Sequence, residues 1–528
     1  MKKFIYILFS LLLLSNTACN DSFLETNPTD QLSDETFWQD ESDAMSALYG
    51  VYGRIVSESD FLYYQVLGCD AWSDDAVNVW KGSDYNQLGS GENTVGGWYT
   101  YNQWQIQYRL IRSANVFLAN IHRPAMSEDV RKEVTAEVRF LRAYYYHILV
   151  SNFGDVPLIT VPLGLEDLKI GRTPKDEVVK FIIDELTAVS ETASLPEKRS
   201  SGEAGRITKA SALALKARVL LYDDQWEASA QAASEVMQMS DYALFSNYED
   251  LFEIENKHNS EVLFAWQYYS DKLSNYVQIF HHMPSWGGWG GLCPLQPVVD
   301  AFECTDGKTI DKSPLYDENK PFDNRDPRLN MAIIRDGSIY RGDIIDCIDY
   351  PNGPNTSGNS SPTGYYVRKF LDNVYEKGAP KTWDNNVIIL RLAEVYLTYA
   401  EARIEANKID NTVLNAINKV RARAYGVDVA NTSAYPAITT TNQTELREII
   451  RRERRVELCF EGLRIFDIRR WKIGETVMQG MTYGAKINGK HISVFNRTFE
   501  SPKNYLWPIP QEERDLIGTE ILSQNPNW

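Results

Sequence analysis

Two stretches of this chain concentrate aromatic rings where a core helix would not put them. Residues 68–104 (GCDAWSDDAVNVWKGSDYNQLGSGENTVGGWYTYNQW) carry Trp72, Trp80, Trp98 and Trp104, with Tyr85, Tyr99 and Tyr101, among Gly, Ser, Asn and Asp. Residues 285–291 (SWGGWGG) set Trp286 and Trp289 on a glycine-flanked loop. Glycine removes bulk from around an indole at a cost in chain entropy, which suits display better than packing. Rings shown beside carboxylates and amides match the chemistry of a sugar. Its C–H face stacks on the indole, and its hydroxyls hydrogen-bond to groups such as the Asp74 carboxylate. Trp286 and Trp289 are therefore read as ligand contacts, with Trp98, Trp80, Tyr85 and Tyr99 as candidates for the same shelf. For Trp80 and Trp98 the pattern fits display and the stapling of a long loop equally. Trp104, four residues before Tyr108 at the mouth of a helix, reads as packing.

Reaction machinery is sparse. The phosphate-binding loop, the nucleophile elbow, the HExxH zinc helix, the dinucleotide fingerprint and the EF-hand spacing are all missing from the sequence. Of the six histidines only His281 and His282 are adjacent, and neighbours on an extended segment point to opposite faces, so both read as ordinary core or surface residues. No C-x-x-C pair supports a zinc or redox site. Asp70, Asp74 and Asp75 could hold a calcium ion, but no loop has a readable ligand spacing, so no cofactor is expected. A glycosidase needs only two carboxylates about 5–10 Å apart; the 72 acids permit such a pair without pointing to it. With 54 Lys and Arg against those acids the formal net charge is -18, which repels nucleic acid. The arginine-rich segment 445–471 alternates Glu and Arg at three- and four-residue spacings, and reads as a structural helix with ion pairs along its own length.

The elements that must position these residues are mostly helical. Lys2 and Lys3, an apolar run from Phe4 to Leu14 and the small residues before Cys19 make residues 1–18 an export signal of lipoprotein type, with Cys19 acylated. Asn16 departs from the usual residue of that pattern. Residues 19–40 then form a tether, so the chain is anchored to a membrane by lipid and does not span it. The remaining cysteines are Cys69, Cys293, Cys304, Cys347 and Cys459, an odd number; Cys293 with Cys304 is the first choice for any disulfide. Helical spacing marks residues 41–56, 105–121 and 128–151, where Ser127 caps the last of these and Gly154 and Pro157 stop it. Two Ala-rich helical hairpins follow at 209–239 and 390–424. Repeated units of this kind suggest tetratricopeptide-like stacking. Loop-rich segments at about 57–104 and 258–388 would be the ligand-binding half of one unit covering 41–528.

Five blocks carry a family resemblance: RFLRAYYYHILVSNFGDVPL (Arg139–Leu158), KASALALKARVLLYDDQWEASAQAASEV (Lys209–Val236), ILRLAEVYLTYAEA (Ile389–Ala402), RRERRVELCFEGLRIFDIRRW (Arg451–Trp471), and the tail from YLWPIPQEE to QNPNW. Together they resemble the SusD/RagB family of outer-membrane lipoproteins. The resemblance implies a mostly α fold, with four tetratricopeptide-like helix pairs under a variable, loop-rich half. It also implies a non-enzymatic protein that binds oligosaccharide at the cell surface, as a lid on a SusC-like TonB-dependent outer-membrane barrel. Family sugar contacts come from loop aromatics in the early and middle chain, where Trp80, Trp98, Trp286 and Trp289 lie. Capture of peptides, as in RagB-like members, is the alternative within the same architecture.

Overall fold

The computed structural model describes residues 37–57, 68–269, 272–349, 351–353, 360–373, 375 and 383–528. The signal segment, Cys19, most of the tether and the middle of the 351–364 loop lie outside them. Among the described residues nine helices of a dozen residues or more form the scaffold. They are α1 (Glu41–Ser57), α2 (Trp98–Asn120), α3 (Glu128–Phe153), α4 (Lys175–Ser190), α5 (Lys209–Tyr222), α6 (Trp226–Met237), α7 (Leu392–Glu405), α8 (Asn411–Ala424) and α9 (Gln443–Glu457). Local chemistry explains their ends. The Ser127 hydroxyl accepts from the Val130 amide, and Thr208 and Ser211 form a reciprocal capping box on α5. Asp410 and Asn442 cap α8 and α9 by accepting from Thr412 and Glu445. Gly154, at φ 72°, ends α3.

Successive helices pack on one another from α2 through α6, and α7 returns to pack on α6 before meeting α8 and α9. Small residues allow the close approach: Ala210, Ala214 and Ala217 on α5 and Ala232 and Ala233 on α6 are buried. The mostly α, tetratricopeptide-like scaffold is therefore as expected. Helix α2 begins seven residues earlier than its periodicity suggests, because its first turns are aromatic on more than one face. Helix α4 was not anticipated, although Val178, Val179, Ile182, Leu186 and Val189 follow Pro174 at helical spacing.

The chain leaves the helical stack after α6 and re-enters at α7, so residues 238–391 are an insertion between two packed helices. Its entry and exit are zipped together. Strand β2 (Val262–Trp266) pairs antiparallel with the strand that leads into α7, Val387–Arg391, with Val262 opposite Arg391 and Trp266 opposite Val387. The other described sheets are also two-stranded: Ala76–Asn78 (β1) with Leu292–Pro294 (β3), Ile333–Ile334 with Tyr366–Val367, Ser338–Tyr340 with Asp343–Ile345, and the longer pair Gly480–Ile487 with Lys490–Arg497. The last is a hairpin whose Asn488–Gly489 turn has positive φ at both residues.

A buried ionic network ties the insertion to the scaffold. The α9 arginines do not pair along their own helix, as the spacing suggested, but reach across it. Arg452 bonds Glu303 at 2.7 Å, Arg447 bonds Glu405 at 2.7 Å, and Arg455 bonds Asp74 at 2.9 Å. The α9 carboxylates are the hubs. Glu457 accepts from Arg391 at 2.7 Å, from Arg423 at 2.5 Å and from Arg328 at 3.0 Å; Glu453 accepts from Arg328 and Arg421 at 2.7 Å each. Glu453, Glu457 and the arginines that meet them are buried, where no water could solvate an unpaired charge, while Arg447, Arg452 and Arg455 are half-buried; cross-helix pairing wins over exposed neighbours. Burial alone would raise the Glu457 carboxyl, but the three guanidinium groups outweigh it and hold it down to about 2.

The segment before β1 is tied down the same way. Asp74 takes two bonds from Arg464, at 2.7 and 2.9 Å, and Asp75 bonds Arg455. Asp74 is thus an internal ion-pair partner, 4% exposed. Asp70 makes no ion pair among the described residues. One of its oxygens accepts from the Gly462 amide at 2.8 Å and the other has no partner. Burial first, then the charge of Asp75, pushes its carboxyl up to about 8. Cys293 and Cys304 are both buried free thiols, so that pairing is not formed; the Cys293 thiol donates to the Gly290 carbonyl at 3.1 Å instead.

Two outcomes follow from these buried charges. Glu457→Ala leaves Arg391, Arg423 and Arg328 each one buried carboxylate short, although each keeps another, and is expected to cost about 3 kcal/mol in urea denaturation; a loss under about 1 kcal/mol would mean the network relaxes around the gap. Folded Asp70 keeps a proton that the unfolded chain releases near the usual carboxylate pKa of about 3.9. Its contribution is thus present at low pH and is lost as pH climbs towards 8. Asp70→Asn should therefore gain on the parent by up to about 1.4 kcal/mol per pH unit across that window. A pH-independent difference between the two melting curves would contradict the protonated assignment.

Candidate functional site

The pairing of β1 with β3 brings two distant tryptophans together. Ala76 faces Pro294, Val77 faces Cys293 and Asn78 faces Leu292, and the ladder runs one step further where the Val79 amide donates to the Gly291 carbonyl at 3.0 Å. The next residue on one side is Trp80, and just before Gly291 on the other lies Trp289. Their ring centroids are 6.1 Å apart at 61°. Trp289 also stacks on Tyr276, at 5.8 Å and 25°, while Trp80 tilts over Phe280 at 6.3 Å. Phe280 is buried and makes the floor; Trp80 is 38% exposed, and Trp289 and Tyr276 are half-buried.

Amides hold this loop in place. Asn86 donates from Nδ2 to the carbonyls of Asn78 and Trp80, at 2.9 and 3.0 Å, and its Oδ1 accepts from the Asn78 amide at 2.9 Å. Asn78 Oδ1 in turn accepts from the Trp80 amide at 3.0 Å. A ring fixed before ligand arrives loses little further entropy on binding. The result is a shelf of three partly exposed rings, able to stack on a ligand with an apolar face.

The glycines beside these rings serve packing, contrary to the display argument. A Cβ on Gly291 would lie 2.4 Å from the Phe280 ring, and one on Gly288 would lie 2.0 Å from the His282 carbonyl oxygen. Glycine is needed there so that the loop can press against its own floor.

Trp286 does not join Trp289. It is 6% exposed, stacks near His282 at 5.9 Å and meets Tyr340 edge-on at 5.0 Å, in a separate buried cluster. Arg341 places its guanidinium 5.7 Å from the Trp286 ring centre. His282 also stacks on Tyr375 at 4.1 Å. His281 and His282 are both fully buried with no hydrogen-bond partner on either ring nitrogen. Burial pushes both down to about 3, helped by His282 in the first case and Arg341 in the second, so they are neutral core groups.

The other candidates divide between core and surface. Tyr99 is 1% exposed and packs with Trp72 and Trp507. Tyr85 is half-buried, lying parallel to Trp72 at 6.4 Å and against Tyr99 at 5.0 Å. Trp98, 60% exposed, opens α2 and is not part of the Trp80–Trp289 group. Trp104 is core, as expected, packed on Tyr108 and Phe153. Tyr276 was missed by sequence reasoning: it stands alone in an ordinary stretch, and only the strand pairing shows what it faces. Among the described residues no three His, Cys, Asp or Glu side chains are grouped to hold a metal ion. Of the acids considered for calcium, Asp74 and Asp75 are turned to guanidinium groups and Asp70 to the Gly462 amide.

Similar proteins share this architecture over nearly their whole length. A SusD-like carbohydrate-binding protein from Bacteroides fragilis superimposes with a TM-score of 0.81 at 30% identity, covering 91% of this chain and 99% of that one. A laminarin-binding SusD-like protein shares the fold with a TM-score of 0.71 at 23% identity, over 93% of this chain and all of that one. SusD-like protein P25 of Formosa agariphila is 28% identical over 562 aligned positions, 99% of this chain and 98% of its own. A family model described as starch-binding, associating with outer membrane, matches residues 22–221, and the model of the SusD family matches residues 249–528. A mostly α stack of paired helices with a zipped-in insertion, matched along its length in these ways, places the chain in the SusD family.

Proposed function

We propose that this protein captures an oligosaccharide at the cell surface on the shelf of Trp80, Trp289 and Tyr276, and delivers it to a SusC-like TonB-dependent outer-membrane barrel. The observation that carries the reading is the β1–β3 pairing, which sets Trp80 and Trp289 edge to face with exposed ring surface on a loop clamped by Asn86. Stacking indoles suit sugar rings better than they suit an extended peptide, whose capture rests on main-chain hydrogen bonds. The names of similar proteins, carbohydrate-binding and laminarin-binding, support the same ligand class. Trp98 offers a second exposed indole for a longer chain, while Trp286, Tyr99, Tyr85 and Asp74 act from behind by holding the loops that bear the shelf.

Lipid on Cys19 would tether the protein to the outer membrane; no helix among the described residues is long and apolar enough to cross a bilayer. Delivery needs no bond cleavage. Ligand contacts made by both lid and barrel would favour the closed state, so binding free energy shifts an open–closed population.

Calorimetric titration with plant, fungal and host glycans, alongside mixed peptides and an assay for new reducing ends, tests the reading. One glycan class is expected to bind without cleavage, and Trp80→Ala with Trp289→Ala to weaken it about tenfold or more. Binding of peptides alone, or release of reducing ends, would replace glycan capture with peptide capture or glycosidase activity respectively.

A further inference from the structure

A cavity of about 380 Å³ lies between the ends of α3 and α5, the start of α4 and the segments around 469 and 503, and none of the shelf residues lines it. Its positive groups stand out in a chain of net charge -18. Arg469 is 8% exposed yet bonds no carboxylate: its Nη1 donates to the Ser151 carbonyl at 3.1 Å and to Asn152 Oδ1 at 2.9 Å, and its Nε has no partner. Most other buried arginines, such as Arg391, Arg423 and Arg454, sit directly on acids, although Arg325 and Arg497 also bond neutral acceptors. Lys175 and Lys472 line the same cavity, and neither pairs with a carboxylate among the described residues; the Lys472 ammonium rests 4.5 Å from the Tyr505 ring centre. Partial burial, with the charges of Lys175 and Arg469, pulls Lys472 below the usual lysine range. Across from these cations are the turn acids Asp223 and Asp224 and the buried, unpartnered hydroxyl of Tyr222.

A guanidinium taken out of water without a bonded carboxylate is costly, and Arg469 and Lys175 repel Lys472 although Asp223 and Asp224 face the same cavity. Both costs fall when an oxyanion enters. We propose that this cavity is a second ligand site, for a saccharide that carries a carboxylate or sulfate: the oxyanion is held by Arg469, Lys472 and Lys175, and the sugar hydroxyls by Tyr222, Asp223 and Asp224. It stands apart from the shelf and holds whether or not the shelf binds glycan.

Calorimetric titration of the whole protein with glucuronic acid, glucose 6-sulfate, sodium sulfate and glucose tests this. At least one acidic sugar is expected to bind about tenfold or more tightly than glucose or sodium sulfate, and to weaken as salt rises. Lys175→Gln with Lys472→Gln should weaken it about tenfold or more while leaving the melting temperature unchanged, since both lysines are exposed at the rim. The Trp80→Ala, Trp289→Ala protein should bind the acidic sugar as before, which separates this site from the shelf. No binding of either acidic sugar, glucose or bare sulfate binding as tightly, or acidic-sugar binding indifferent to the lysine substitutions would overturn the proposal.

Discussion

The structure depends on carboxylates buried among guanidinium groups on α9. Glu457 alone joins three arginines from three places: Arg391 at the end of the exit strand, Arg423 on α8 and Arg328 in the insertion. Each of these charges would be expensive inside the protein by itself, and together they are tolerable only in one arrangement. A shifted helix would bury the same charges unpaired, whereas a shifted apolar contact would simply find another apolar neighbour. The network therefore does what small alanine faces cannot: it gives the stack of helices a single register and fixes the insertion to it. The same device reaches the loop before β1, where Asp74 and Asp75 meet Arg464 and Arg455, so the base of the aromatic shelf is referenced to the same helix.

Rigidity then passes outward through very little regular structure. Three residues of β1 against three of β3 are enough to set Trp80 beside Trp289, because Asn86 and Asn78 tie off the loop and Gly288 and Gly291 let it press on Phe280 and His282. Polar clamps and close backbone contact replace a large sheet. That division suits a binding surface, since the exposed rings need fixed positions while their outer faces stay open to solvent and ligand.

The helical half was legible because periodicity and capping are local properties. Ser127, Thr208 and the alanine faces of α5 and α6 announce themselves within a few residues. What was not legible depended on contacts between distant parts of the chain. Trp286 and Trp289 look equivalent in SWGGWGG, yet one turns to His282 and Tyr340 and the other to Trp80 and Tyr276. Glycine around them looked like space for ligand and proved to be space for the backbone. The α9 arginines read as self-paired because helix spacing is visible in sequence, whereas Asp74, Glu303 and Glu405, hundreds or tens of residues away, are not. Helix α4 and the Asn488–Gly489 hairpin are different: their signals were present and simply weaker than those of their neighbours.

The zipper between β2 and Val387–Arg391 has a wider consequence. It returns the chain to the helical stack close to where it left, so what lies beyond it is a closed excursion whose two ends stay fixed however long it is. Closing a longer loop costs only logarithmically more entropy. Insertions, deletions and changes of sequence out there would leave the packing of α6 on α7 untouched, provided that Arg328, Glu303 and Lys369, the excursion's own members of the buried charge network, are kept. A lineage could thus exchange what the protein recognises while inheriting unchanged the helical body beneath, much as a tool handle accepts different heads.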